Sequence, residues 1–180
     1  MITQQKQFRT TLILGRFQPL HIGHQYLINT ALSISDSVLV LIGSSQEEST
    51  NRNPFSYSLR KEMLQRVYGD RIKIAPLKDL GLGDVTGWGD YLLSEARKIA
   101  PDLDCFLFGE EKKCERWFSK EVKESITFYK VTRNKIKVNA TKLRELLREG
   151  NIEEVKTMMD SKLTPLIPKL IEITKEATPS

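Results

Sequence analysis

Apolar positions in this chain switch several times between short continuous runs and a three- and four-residue spacing, and glycine, proline or small polar residues stand at most of the switches. Thr10-Thr11-Leu12-Ile13-Leu14, closed by Gly15, suits a buried strand of a parallel sheet. Ile22, Tyr26, Leu27, Thr30 and Ala31 then recur at helical spacing, which predicts a helix from near Gly23 to about residue 32. The same patterns predict strands at residues 37–42, 71–75, 104–108 and 125–131, and helices at residues 56–68 and 88–99. Three more helices follow at residues 141–148, 152–159 and 166–175, the last started by Pro165 or Pro168.

Strands alternating with helices mean a parallel sheet with helices on both faces. The expected fold class is therefore α/β: a Rossmann-like, doubly wound parallel sheet whose C-terminal third forms a helical cap. No repeat, low-complexity stretch or long linker divides the sequence. One domain over residues 1–180 is expected, with a core at about residues 8–135 and a helical part at about residues 139–178. In such sheets ligands bind beyond the carboxyl ends of the strands, so the loops after each strand are where chemistry is expected.

Composition narrows the classes of function. The chain is 39% hydrophobic and 28% charged, an ordinary globular balance, and no span is long and apolar enough for a membrane. The net charge is +5, but the basic residues are interleaved with Asp and Glu instead of forming one block. That favours phosphorylated small molecules over nucleic acid. The polar start, Met1 to Gln7, lacks the pattern of a secretory signal, so a cytoplasmic location is the default expectation. Cys105 and Cys114 form no C-x-x-C pair, and no function is assigned to them.

The first loop changes the picture most. Gly15-Arg16-Phe17-Gln18-Pro19-Leu20-His21-Ile22-Gly23-His24 holds both histidines of the chain, at the point where a strand delivers a helix start. A helix N-terminus offers unpaired N–H groups to an anion. Gly15 and Gly23 permit close approach to the backbone, His21 and His24 can lean to one side as donors, and Arg16 adds a positive fork. A helix cap, a buried core histidine or a metal pair are the plainer readings of such histidines. Zinc is disfavoured, because no further histidine could complete its ligand set.

Later loops add candidates. Gly43, Ser44, Arg52, Asn53, Pro54 and Phe55 follow the second strand and lead into the helix bearing Arg60, so that Arg52 and Arg60 are expected to face a phosphate across one crevice. Read alone, the stretch is a solvated loop. After the third strand, Asp79 and then Trp88, between Gly87 and Gly89, offer a carboxylate and a flat ring suited to a cationic heterocycle, although a tryptophan at a helix start is more often core. Gly109-Glu110-Glu111-Lys112-Lys113 follows the fourth strand as a charge run. Finally, Asn139 or Thr141 is expected to cap a helix with Arg144 about one turn inside it.

The first loop resembles the G-R-F-Q-P-x-H-x-G-H signature of the H-x-G-H nucleotidyltransferase superfamily. Asn139-Ala140-Thr141-Lys142-Leu143-Arg144 resembles its second signature, I-S-x-T-x-x-R, with Asn139 in place of serine and Val138 in place of isoleucine. Gly43 to Phe55 resembles the G-S-x-Q-x-S-x-x-x-x-N-P-F segment of the archaeal-type branch that adenylylates nicotinamide mononucleotide, with departures at Glu48 and Leu59. The resemblance implies transfer of the adenylyl group of ATP, with Mg²⁺, to nicotinamide mononucleotide. It also implies roles. His21, His24 and Arg144 would be catalytic, while Gly15, Arg16, Phe17, Gln18, Gly23, Gly109, Asn139 and Thr141 would hold ATP. Gly43, Ser44, Arg52, Asn53, Pro54, Phe55, Arg60, Asp79 and Trp88 would hold the acceptor. It leaves room for a homo-oligomer. Two other readings stay open: transfer to another phosphorylated acceptor, such as nicotinate mononucleotide or phosphopantetheine, and a nucleotide-sensing module without turnover.

Overall fold

Five parallel strands, β1 (Phe8–Gly15), β2 (Ser35–Ile42), β3 (Lys73–Pro76), β4 (Leu103–Gly109) and β5 (Thr127–Val131), form one sheet in the order β3-β2-β1-β4-β5 in the computed structural model, which describes residues 5–83, 85–110, 112–132 and 136–180. The strand order reverses between β1 and β4, which makes the gap between their carboxyl ends the switch point of the sheet.

The pleat sends alternate side chains to opposite faces. Ile13, Val38, Val40, Ile42 and Leu107 enter one core, shared with helices α1 (Ile22–Ile34) and α2 (Tyr57–Tyr68). Leu12, Leu39, Leu41, Phe106 and Phe108 enter the other, covered by α3 (Trp88–Ile99) and the short α4 (Lys120–Glu124). The remaining helices, α5 (Ala140–Glu149), α6 (Ile152–Met158) and α7 (Ile167–Glu176), bring Leu143, Leu147, Val155 and Leu170 into the first core. The expected helical cap thus covers the α1 face of the sheet. Among the described residues no helix is long and apolar enough to cross a membrane.

The expected elements are present, with shifts that have local causes. β2 begins two residues early, at Ser35, because α1 runs straight into it. β3 begins late because Gly69–Arg71 closes α2 as a 3-10 turn. β5 begins at Thr127 because α4, capped by the Ser119 hydroxyl, occupies the preceding segment. That helix and the Cys114–Trp117 turn before it are too short to show a period in sequence. Pro168 is the proline at the start of α7, whereas Pro165 lies inside the preceding turn, Ser161–Leu166.

Candidate active site

A crevice of about 700 Å³ opens at the switch point, lined by the end of β1, the first loop, the loops after β2, β3 and β4, and the approach to α5. Gly15, Arg16, Phe17, Gln18, His21, His24, Gly43, Ser44, Arg52, Asp79, Trp88 and Asn139 all reach its wall. Gly23, Asn53, Pro54, Phe55, Arg60 and Arg144 are buried behind that wall, Gly109 lines a recess beside it, and Thr141 is exposed in the first turn of α5.

His21 is the N-cap of α1. Its Nδ1 accepts the N–H groups of Gly23 and His24, at 3.1 and 3.3 Å, while the His24 Nδ1 accepts the His21 N–H at 3.3 Å. The plain reading, a capping histidine, is thus realised twice, and each ring also faces the crevice. A neutral imidazole that accepts at Nδ1 carries its proton on Nε2, so each ring is a donor there. The rings stack with centroids 3.7 Å apart, and Phe17 backs His24 at 4.8 Å. One expectation changes: the first-turn N–H groups of Gly23 and His24 are occupied by His21, so donation from this helix start passes to the imidazoles.

Gly15 has a structural reason of its own. A Cβ there would sit 2.7 Å from Cζ of Phe17, whose ring is buried under the loop. Gly89 likewise makes room for Phe118, 2.6 Å from where a Cβ would be, and not for Trp88. Trp88 is half-buried, with its ring 5.3 Å from Tyr91.

Arg60 is placed differently from the sequence expectation. It is fully buried and turned away from the crevice. Its Nη1 donates to the carbonyls of Arg16 and Gly43 at 3.0 and 2.8 Å, its Nη2 to Ser44 at 3.1 Å, and its Nε to Ser56 at 3.3 Å. The physical reason is that Phe17 and Ser44 adopt left-handed backbone, with φ of 52° and 46°, which turns neighbouring carbonyls inward, where they need a donor. Burial, and then Arg16, push the Arg60 pKa down to about 10, so it stays charged at neutral pH.

Gln18 and Phe55 also join the loops from behind. The Gln18 amide donates to the Phe55 carbonyl and accepts the Phe55 N–H, both at 2.9 Å, and both residues are buried. Pro54 is buried, and its carbonyl accepts the Ser49 N–H. Asn53 accepts from Arg16 Nη1 at 3.2 Å. Leu59, a departure from the family pattern, packs in the core.

Asn139, rather than Thr141, caps α5, accepting the Lys142 N–H at 2.8 Å, so the start of this helix opens on the crevice. Arg144 donates to the Gln18 carbonyl at 2.9 Å and to the Thr141 hydroxyl at 3.4 Å, tying the second signature to the first. Gly23 is buried, and Gly109 lines a much smaller recess beside the crevice with Leu14, Lys112 and Trp117. Glu110 turns to the hydroxyl of Thr132, and Glu111 lies outside the described residues.

Several wall residues have no local signal in the sequence. Arg116 and Trp117 reach the crevice because the Thr86 hydroxyl donates to the Arg116 carbonyl and the Gly87 N–H to the Trp117 carbonyl. Gln46 holds Asp79 through its backbone N–H and carbonyl, while the Asp79 carboxylate accepts the Gly81 N–H.

Electrostatically the crevice is a receptor for anions. Burial lowers the Arg16 pKa, and Arg52 lowers it further against the pull of Asp79. Arg144 is lowered by burial and then by Arg16, Arg148 and Arg52. Among the described residues none of Arg16, Arg52, Arg60 and Arg144 forms a salt bridge with a carboxylate. An anion entering the crevice relieves this mutual repulsion.

Known proteins resemble the chain along most of its length. Residues 12–168 match the family described as cytidylyltransferase-like. A nicotinamide-nucleotide adenylyltransferase of Thermoplasma volcanium is 30% identical over 149 residues, covering 81% of this chain and 78% of its own length. Another, from Aeropyrum pernix, is 34% identical over 106 residues, covering 56% of this chain and 58% of its own. The chain spans little more than half the length of several of the curated relatives it matches. Among solved structures, a bifunctional NMN adenylyltransferase/ADP ribose pyrophosphatase of Francisella tularensis, complexed with AMP and a manganese ion, superposes with a TM-score of 0.74 at 26% identity. That match covers 93% of this chain and 51% of the other.

Proposed function

The chain belongs to the cytidylyltransferase-like family, and from that premise we propose that it joins ATP and nicotinamide mononucleotide to give NAD and pyrophosphate. One observation carries the reading: His21, His24, Arg16, Arg52 and the start of α5 converge on a single crevice at the switch point of the sheet. An oxygen of the acceptor's 5′-phosphate attacks the α-phosphorus of ATP, the bond from that phosphorus to the β-bridging oxygen breaks, and pyrophosphate leaves. No protein nucleophile takes part.

Catalysis of such a transfer is largely positioning and charge stabilisation. His21 and His24 donate from Nε2 to the α- and β-phosphates, where charge grows as the bond breaks. Arg16 and the start of α5 take the rest of the triphosphate, and Arg144, buried behind the wall, acts through the Gln18 carbonyl and the Thr141 hydroxyl to fix the loop that presents the histidines. Arg52 meets the acceptor's phosphate, and Trp88 stacks the pyridinium ring, with Asp79 beside it. Arg60, Gln18 and Phe55 hold the walls.

Asp79 puts a carboxylate on the crevice wall, and among the described residues no three His, Cys, Asp or Glu side chains cluster as a metal cage. This donor set fits a hydrated Mg²⁺ held through the phosphates of the nucleotide. When bound there, the ion neutralises phosphate charge. A cytoplasmic location, where ATP is at hand, is part of the proposal.

The test is pyrophosphate release from ATP with a panel of acceptors: nicotinamide mononucleotide, nicotinate mononucleotide, phosphopantetheine and glycerol phosphate. The expected result is the highest kcat/KM with nicotinamide mononucleotide. Preference for phosphopantetheine, or no turnover with any acceptor, contradicts the proposal.

A further inference from the structure

Arg52 reaches the crevice from a turn that holds itself only in part. The turn at residues 49–54 closes with its own bonds from the N–H groups of Ser49, Thr50 and Asn53. The N–H groups of Asn51 and Arg52 go elsewhere, to Thr178 and Ser180 near the other end of the sequence. Asn51 donates to the Thr178 carbonyl at 2.7 Å, and Arg52 donates to the Ser180 hydroxyl at 2.8 Å. Thr178 returns the contact, its N–H donating to the Ser49 carbonyl at 2.9 Å and its hydroxyl to the same carbonyl at 3.1 Å. Thr50 and Thr178 form a parallel β-bridge. From α5, Arg148 donates to the Asn51 side chain at 3.4 Å.

The segment after α7 therefore clasps the crevice loop through a single β-bridge and the hydrogen bonds around it. We propose that residues 177–180 are a positioning element for Arg52, holding its backbone so that the guanidinium meets the acceptor's phosphate already oriented. Asn53 and Pro54 are held by burial, but Arg52 is exposed and Ser49 adopts left-handed backbone, with φ of 62°, so the backbone at residues 51 and 52 relies on the clasp for its N–H partners. Ordering a loop and a long side chain on binding weakens affinity, and a pre-ordered loop avoids that loss. The proposal rests on the reading that Arg52 meets an anionic acceptor. It adds that the acceptor side of the crevice, and not the ATP side, depends on the segment after α7.

The experiment deletes residues 177–180 from the full chain, alone and together with Arg52→Ala, and measures kcat and both KM values alongside amide exchange. Truncation is expected to raise the KM for nicotinamide mononucleotide roughly fivefold, the factor for about one net hydrogen bond, while the KM for ATP and kcat stay within about twofold. It is also expected to speed exchange at Asn51 and Arg52. In the Arg52→Ala background the truncation should leave the KM unchanged, because the arginine it positions is gone. An equal effect in both backgrounds, a change confined to the KM for ATP, or unchanged exchange overturns the proposal. If the full chain does not turn over nicotinamide mononucleotide, the functional reading fails instead. Exchange at Asn51 and Arg52, which needs no substrate, then still shows whether the clasp holds the segment.

Discussion

Replacing His24 with alanine is expected to lower kcat for NAD formation by about 10²-fold or more, the usual loss when one donor to a developing phosphate charge is removed. The same substitution removes half of the reciprocal cap, in which the His24 Nδ1 accepts the His21 N–H. Losing a cap of this kind costs about 1 kcal/mol of stability. The two roles separate cleanly: thermal melts read the cap, and steady-state kinetics on the folded variant read the phosphate contact. A histidine that only capped the helix would give the stability loss with kcat nearly intact. The stacked geometry adds a second expectation, that His21→Ala is the more damaging to folding, because His21 is buried and accepts two N–H groups.

The largest stability effect is expected at Arg60. Methionine keeps much of the stem's packing but donates nothing, so Arg60→Met leaves the carbonyls of Arg16, Gly43 and Ser44 without the donor they have here. Removing one partner from a buried charged network costs about 3–5 kcal/mol, and urea unfolding should show a loss of that size. Arg60→Lys keeps the charge but not the planar fork that spans two loops, so it should recover only part of the loss. If Arg60 bound a substrate phosphate directly, Arg60→Met would leave the unfolding midpoint almost unchanged and raise a KM instead.

Arg60 also shows where reading from sequence stops. Its place in the helix that Asn53-Pro54-Phe55 leads into, across from a strand ending in Gly43-Ser44, predicts a phosphate contact, because an exposed arginine and a buried one have the same local signature. What turns it inward is the need of the Arg16, Gly43 and Ser44 carbonyls for a donor, and these come from two loops that meet only in the fold. Residues whose role depends on a single turn were easier to place. The Gly15 to His24 loop was legible because the chemistry lies within one strand-to-helix junction, and the cap of α5 was legible as far as the choice between Asn139 and Thr141. The parallel sheet was legible too, since the alternation of runs and helical spacing repeats along the chain. Arg116, Trp117, the Gln18–Phe55 pairing and the clasp by Thr178 were not, because each exists only once distant segments meet. Asp79 and Trp88 stand between these cases: their place after β3 was legible, whereas the Gln46 bonds that hold Asp79 were not.

The crevice is expected to direct the acceptor's phosphate onto the α-phosphorus of ATP, and the position of isotope in the product reads this out. Nicotinamide mononucleotide carrying ¹⁸O in all of its non-bridging phosphate oxygens is turned over with unlabelled ATP and analysed by mass spectrometry. The predicted result is NAD that retains every label, one of them in the bridge between the two phosphorus atoms, together with unlabelled pyrophosphate in equal amount. Loss of one label from the NAD, or the absence of NAD among the products, would contradict the account.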